Sequence, residues 1–207
     1  MREMLGNMKL IFKGKFTTYE ALPQSELPEN SVAFKEPKTM VGVNLMAMLF
    51  IIPVLIVMVI LATVFGKYEM FTAYSFHGLV ISLLLLVPHE FIHAVFMGRD
   101  AEVFMYYSLK HMMMFVITLS PMTKARFIIM SFMPALILGW IPFLVGLLCF
   151  PVQSAAGSIL MAAGFYCALM GGGDYMNMFN AAVQMPKGAL TQLSGMHSYW
   201  FMPESEM

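Results

Sequence analysis

Four apolar stretches, each about as long as the 20 residues needed to cross a bilayer's hydrocarbon core, restrict what this chain can fold into. They cover residues 43–65, 76–97, 127–150 and 154–173 of 207. Lipid offers no water to an exposed backbone N–H or C=O, so such stretches are expected to close their hydrogen bonds internally as helices. Composition points the same way. The chain is 59% hydrophobic and 12% charged, against about 25% charged in an ordinary soluble domain. The expected fold is an all-α integral membrane protein with about four transmembrane helices. Residues 103–109 and 113–119, rich in aromatic and β-branched side chains, would add a short β-hairpin or an interfacial helix at the membrane edge. Residues 1–42 read as a turn-rich cytoplasmic N-terminal segment broken by Pro23, Pro28 and Pro37, residues 43–187 as the membrane-embedded domain, and residues 188–207 as a C-terminal tail.

Basic residues orient this arrangement. Of the 12 Lys and Arg, only Lys67 lies between the first and second apolar stretches. The others fall before the first (Arg2, Lys9, Lys13, Lys15, Lys35, Lys38), between the second and third (Arg99, Lys110, Lys124, Arg126), or after the fourth (Lys187). Positive loops stay on the cytoplasmic side, so both termini are expected in the cytoplasm and the loop at Lys67 outside a cell membrane. The formal net charge of zero gives no reason to invoke nucleic acid. Cys149 and Cys167 lie in apolar stretches and define no disulfide framework. The 24 methionines are spread along the chain and read as adaptable packing in lipid rather than as a metal cluster.

Against this apolar background, Pro88-His89-Glu90-Phe91-Ile92-His93 stands out. Ionisable groups are costly at membrane depth and mark function there. Residues i and i+4 share a helix face, so His89 and His93 can grip one metal ion, with Glu90 one step round the helix able to reach a water on that ion. A satisfied His–Glu–His group without metal is the plainer alternative. Catalytic zinc commonly takes three protein ligands and keeps one position open. The third ligand has few candidates. Glu102 follows His93 by nine residues, beyond Gly98; His77 begins the second stretch, about 18 Å of helix from His89; His111 and His197 lie in a loop and the tail. Asp174 is the outstanding choice, the only acid between Glu102 and Glu204, directly after Gly171-Gly172-Gly173, whose missing side chains let helices approach closely. It could equally cap the next helix. Asn177 would share its face and could bind substrate backbone, or be a plain surface amide. The His₂-carboxylate set suits one Zn²⁺ per chain and also occurs in non-haem iron sites.

The sequence resembles a bacterial membrane-protein family described as zincin peptidases, distantly similar to site-2 proteases. The likeness rests on His89-Glu90-Phe91-Ile92-His93, on Gly173-Asp174, on Pro121-Met122-Thr123-Lys124-Ala125-Arg126 leading into a stretch with Pro134, and on the run from Asp174 to Lys187 with Tyr199-Trp200. The resemblance implies a zinc metallopeptidase cutting a membrane protein or peptide within or near the bilayer, with a membrane-edge hairpin that receives an unwound substrate. Tyr175 stands where site-2 proteases often carry glycine after the aspartate. The rival reading is a non-enzymatic membrane protein, an inactive homologue that binds partners or a transporter subunit. A transporter would place polar groups on several spans, yet the first and third stretches hold no acidic or basic residue.

Overall fold

The computed structural model describes residues 8–18, 21–37, 39–109 and 113–203, arranged as two compact units whose segments alternate along the chain. The first comprises Pro37–His89 and Phe132–Met176; the second comprises Met1–Glu36, Glu90–Ser131 and Asn177–Met207.

The first unit is helical, and three of the helices that follow extend into the second. Helix α1 (Met40–Val64) begins at Thr39, whose side chain accepts the Gly42 N–H at 3.1 Å, as an N-cap should. At 1.5 Å per residue its apolar stretch Val41–Val64 is about 36 Å long. It exposes Leu45, Met48, Leu49, Ile52, Ile56 and Ile60, a surface that water would not tolerate and lipid would. Two short helices follow, α2 (Tyr68–Ala73) and α3 (Ser75–Leu84), and then α4 (Leu86–Met97). Helices α3 and α4 meet at a 48° bend. Pro88 explains its place. In a continuous helix its ring would crowd the carbonyl of Leu84, and it has no N–H to offer, so the helix breaks before it and restarts with Pro88 in the first turn of α4.

Helix α5 (Lys124–Pro134) runs without a chain break into a π-helical segment, Ala135–Trp140, and then α6 (Ile141–Cys149). Lys124–Cys149 as a whole is long and apolar enough to cross a membrane. Helix α7 (Ala155–Met170) is followed, across a 51° bend, by α8 (Gly172–Gln184). Among the described residues, two helices, or four if each bent pair is one span, have the length and apolarity of membrane spans.

Small side chains set the helix spacing. A Cβ on Gly78 would meet Ala162 at 2.5 Å, one on Gly139 would meet Ala168 at 2.8 Å, and one on Gly164 would meet the Phe143 backbone at 2.5 Å. Helix α7 is thus approached on two sides by backbones that only glycine admits, a common basis of helix association in lipid. Met58, Met70, Phe71, Phe143, Leu147, Met161 and Phe165 fill the core between them. Lys67 closes one end, donating to the carbonyls of Leu147 and of Phe150 (2.6 Å for the latter), which have no helical partners at the end of α6.

The second unit corrects the all-α expectation, because it is built on two β-sheets. Strand β1 (Lys9–Lys15) pairs in parallel with β3 (Glu102–Ser108), which pairs antiparallel with β4 (Met113–Thr118). The other sheet has the order β2 (Val32–Ala33), β7 (His197–Phe201), β6 (Leu190–Ser194), β5 (Met122–Thr123). The protein is therefore mixed α and β. The hairpin anticipated at residues 103–119 is present as β3 and β4; the N-terminal segment, the tail and the two-residue β5 supply the strands that were not anticipated. Their partners are remote in sequence, Lys9 facing Glu102 and Val32 facing Trp200, so local pattern carries little trace of the pairing. Val103, Met105 and Val116 of the first sheet pack with Ala94 and Met97 of α4 and Phe127 and Met130 of α5.

Candidate metal centre

Helix α4 is inverted relative to a helix in water. Ala94 and Met97 are buried, and on that same side lie His89 (7% exposed), Glu90 (8%) and His93 (6%). Val87 and Phe91 face outward and are exposed. A soluble amphipathic helix does the opposite, whereas ionisable groups of membrane helices face the protein interior. The i, i+4 spacing stacks the two histidines, and the ligand-type atoms of His89, Glu90 and His93 all lie within 4.8 Å of one another. Among the described residues this is the group of three able to hold a metal ion.

Each histidine has an identifiable contact. His89 Nε2 lies 3.2 Å from Asp174 Oδ2, both groups largely buried. His93 Nδ1 lies 2.9 Å from the carbonyl oxygen of Met130 on α5, a buried contact in which the ring N–H donates. That bond selects the Nδ1–H tautomer and leaves Nε2 as the lone-pair nitrogen. Asp174 sits in the first turn of α8, so the chain returns about 80 residues after His93 to place a carboxylate against His89.

The glycine triplet before Asp174 contributes unevenly. A Cβ on Gly172 would strike Ile51 of α1 at 2.8 Å, and one on Gly171 would press Ala135 at 3.3 Å, but Gly173 has open space. Gly172 is the position that requires its missing side chain.

Two imidazoles and a carboxylate make a donor set that suits zinc, and the His89–Asp174 pair has a fitting separation. Two donors about 2.1 Å from a tetrahedral ion stand roughly 3.4 Å apart, close to the 3.2 Å between His89 Nε2 and Asp174 Oδ2. A backbone carbonyl on the far nitrogen is the usual orienting partner of a metal-binding imidazole, and His93 has one.

Residues 82–190, just over half the chain, match the protein family described as "Putative zincin peptidase". The chain belongs to that family. Membership supports a metallopeptidase role and implies zinc, and the matched region contains His89, Glu90, His93 and Asp174. No curated protein and no solved structure matches the chain.

The other acids and histidines weighed from the zincin sequence have different surroundings. Glu102 starts β3 and pairs with Lys9 at 3.3 Å on an exposed face. His77 is exposed on α3 beside the rings of Tyr74 and Phe76. His197 pairs with Glu36 at 3.3 Å; burial pushes that carboxyl above its ordinary range, against the lowering effect of the Ser198 N–H and of His197. His111 lies outside the described residues. Asn177 is partly buried on α8, three residues beyond Asp174. The Met130 carbonyl is a site component that no side-chain pattern announces.

Proposed function

We propose that the protein is a membrane-embedded zinc metallopeptidase that cuts membrane proteins or peptides within or near the bilayer. The single observation that carries this reading is the buried His89–Glu90–His93 group on a helix whose outer face is apolar. His89 and His93 would bind one Zn²⁺ per chain as neutral imidazoles, and Asp174 would complete the protein ligands. When bound, zinc supplies a Lewis acid that polarises the scissile carbonyl and acidifies its water.

The chain's own groups carry the rest. Glu90, beside both histidines, takes the proton of the attacking water at its carboxylate and hands it to the departing amine, the work of a general base that then acts as acid. Met130 holds His93 in one tautomer. Asp174 brings negative charge beside His89, which favours a cation at the site. Asn177 offers an amide to the substrate backbone. Burial keeps bulk water from the group and strengthens these charge effects.

The apolar exterior of α1 and the outward Val87 and Phe91 support placement in a bilayer. The distribution of Lys and Arg supports cytoplasmic termini in the cell membrane. Reporters fused at the C-terminus and beside Lys124 should then read cytoplasmic, and one beside Lys67 external. The test of the activity is cleavage of transmembrane peptides by the purified protein in nanodiscs, abolished by a chelator and restored by zinc. Chelator-insensitive cleavage would remove the metallopeptidase reading. Zinc binding without any cleavage would favour the inactive, partner-binding alternative.

A further inference from the structure

Helix α5 contains a proline at a position that bears directly on the orientation of His93. In an α-helix the carbonyl of residue i receives the N–H of residue i+4. For Met130 that residue is Pro134, which has no N–H. The helical partner of the Met130 carbonyl is thus missing by covalent structure, and His93 Nδ1 lies 2.9 Å from that same oxygen. The backbone leaves α-helical hydrogen bonding immediately after Pro134, where the π-helical segment Ala135–Trp140 begins.

We infer that Pro134 is a positioning residue of the metal centre: by withholding an N–H it turns the Met130 carbonyl into the acceptor that orients His93. Two buried needs are met together. A carbonyl without its helical partner in an apolar surrounding is costly, and an imidazole that binds metal through one nitrogen needs an acceptor for the N–H on the other. The bond satisfies both. It also explains how a lipid-compatible helix with no ionisable group between Arg126 and Cys149 contributes to a polar site. The donor-free position is the contribution, and it introduces no polar side chain. The inference rests on the zinc reading given above.

The test compares two replacements in the full-length protein in nanodiscs. Pro134→Ala restores an N–H that competes for the Met130 carbonyl. Pro134 replaced by lactic acid, through ester incorporation, removes the ring but supplies no N–H. Zinc affinity is read by competition with a chromophoric chelator, and folding by thermal melting of the zinc-free protein. Pro134→Ala should weaken zinc binding about 10–100-fold, the range for loss of an orienting partner. Its zinc-free melting temperature should be unchanged or higher, since alanine favours helix. The lactate variant should bind zinc within a few-fold of the parent. Parental zinc affinity in Pro134→Ala would overturn the inference, as would equal losses in both variants, which would make the ring itself responsible. Absence of zinc affinity in the parent would overturn the metal reading and this inference with it; failure of Pro134→Ala to differ from a zinc-binding parent would overturn this inference alone.

Discussion

Helices α1 and α4 are both apolar, both contain proline and both present large hydrophobic side chains outward, yet they differ in what they bury. Helix α1 turns Met58 and Ala62 inward and has no ionisable residue from Met40 to Val64. Helix α4 turns His89, Glu90 and His93 inward and keeps Val87 and Phe91 outside. The outer faces are interchangeable because one apolar solvent suits both. The inner faces are not. Burying three ionisable groups has a solvation cost that helical propensity does not offset, so they must satisfy one another, the Met130 carbonyl, Asp174 and, on the present account, a metal ion. An apolar exterior therefore reports the solvent, and the buried polar residues report the chemistry.

The sharpest way to break this contrast is Glu90→Gln. The amide keeps the size of the side chain and can still donate and accept hydrogen bonds, but it cannot take the water's proton. Turnover should fall by at least about 10²–10⁴-fold, the usual contribution of a general base, while zinc content stays near the parent's. Single-turnover cleavage beside metal analysis would check this; full turnover in the variant would remove Glu90 from the mechanism. Asp174→Ala should act differently, lowering zinc retention and activity together, because it takes away a ligand. Asp174→Asn should lose less, keeping an oxygen donor without the charge. If Asp174→Ala keeps parental zinc, its 3.2 Å contact with His89 is a hydrogen bond only.

The outer faces offer the smaller effects. Ile56→Lys places a charge on the exposed side of α1 and should impair insertion by about 2.5–3.5 kcal/mol on the translocon scale, seen as loss of the membrane-integrated fraction. Undiminished insertion would mean that face does not meet lipid. Phe91→Leu, on the outer side of α4 between two critical residues, should change activity and thermal stability little. A large loss there would show that the outer face of α4 has a specific partner and is not simply solvated by lipid.

How much of this could be read in the sequence follows from the range of the interactions. Span lengths are local, and the anticipated stretches correspond to α1, the bent pair α3–α4, the continuous α5–α6 run and the whole of α7. The i, i+4 histidine spacing is local too, and α4 brings its atoms together. Asp174 was singled out by its isolation among apolar residues, and it touches His89. The sheets escaped because their pairings are not local. Lys9-Leu10-Ile11-Phe12-Lys13-Gly14-Lys15 shows no clean alternation, and β1 carries a register shift between Phe12 and Gly14. The β6–β7 hairpin did leave a trace, since Gly195, with φ of 61°, lies in a two-residue turn between short runs containing Leu, Thr, Tyr and Trp, an ordinary hairpin signal. The Met130 carbonyl has no residue code of its own. Its only mark is Pro134, four residues later.

The most direct test of the central claim is the zinc content of the purified full-length protein beside its His89→Ala form, both prepared in the same lipid and exposed to the same metal. About one zinc per chain in the parent and a large loss in His89→Ala is expected, with Glu90→Gln resembling the parent. Equal zinc in the parent and His89→Ala would contradict a metal centre built on the inner face of α4.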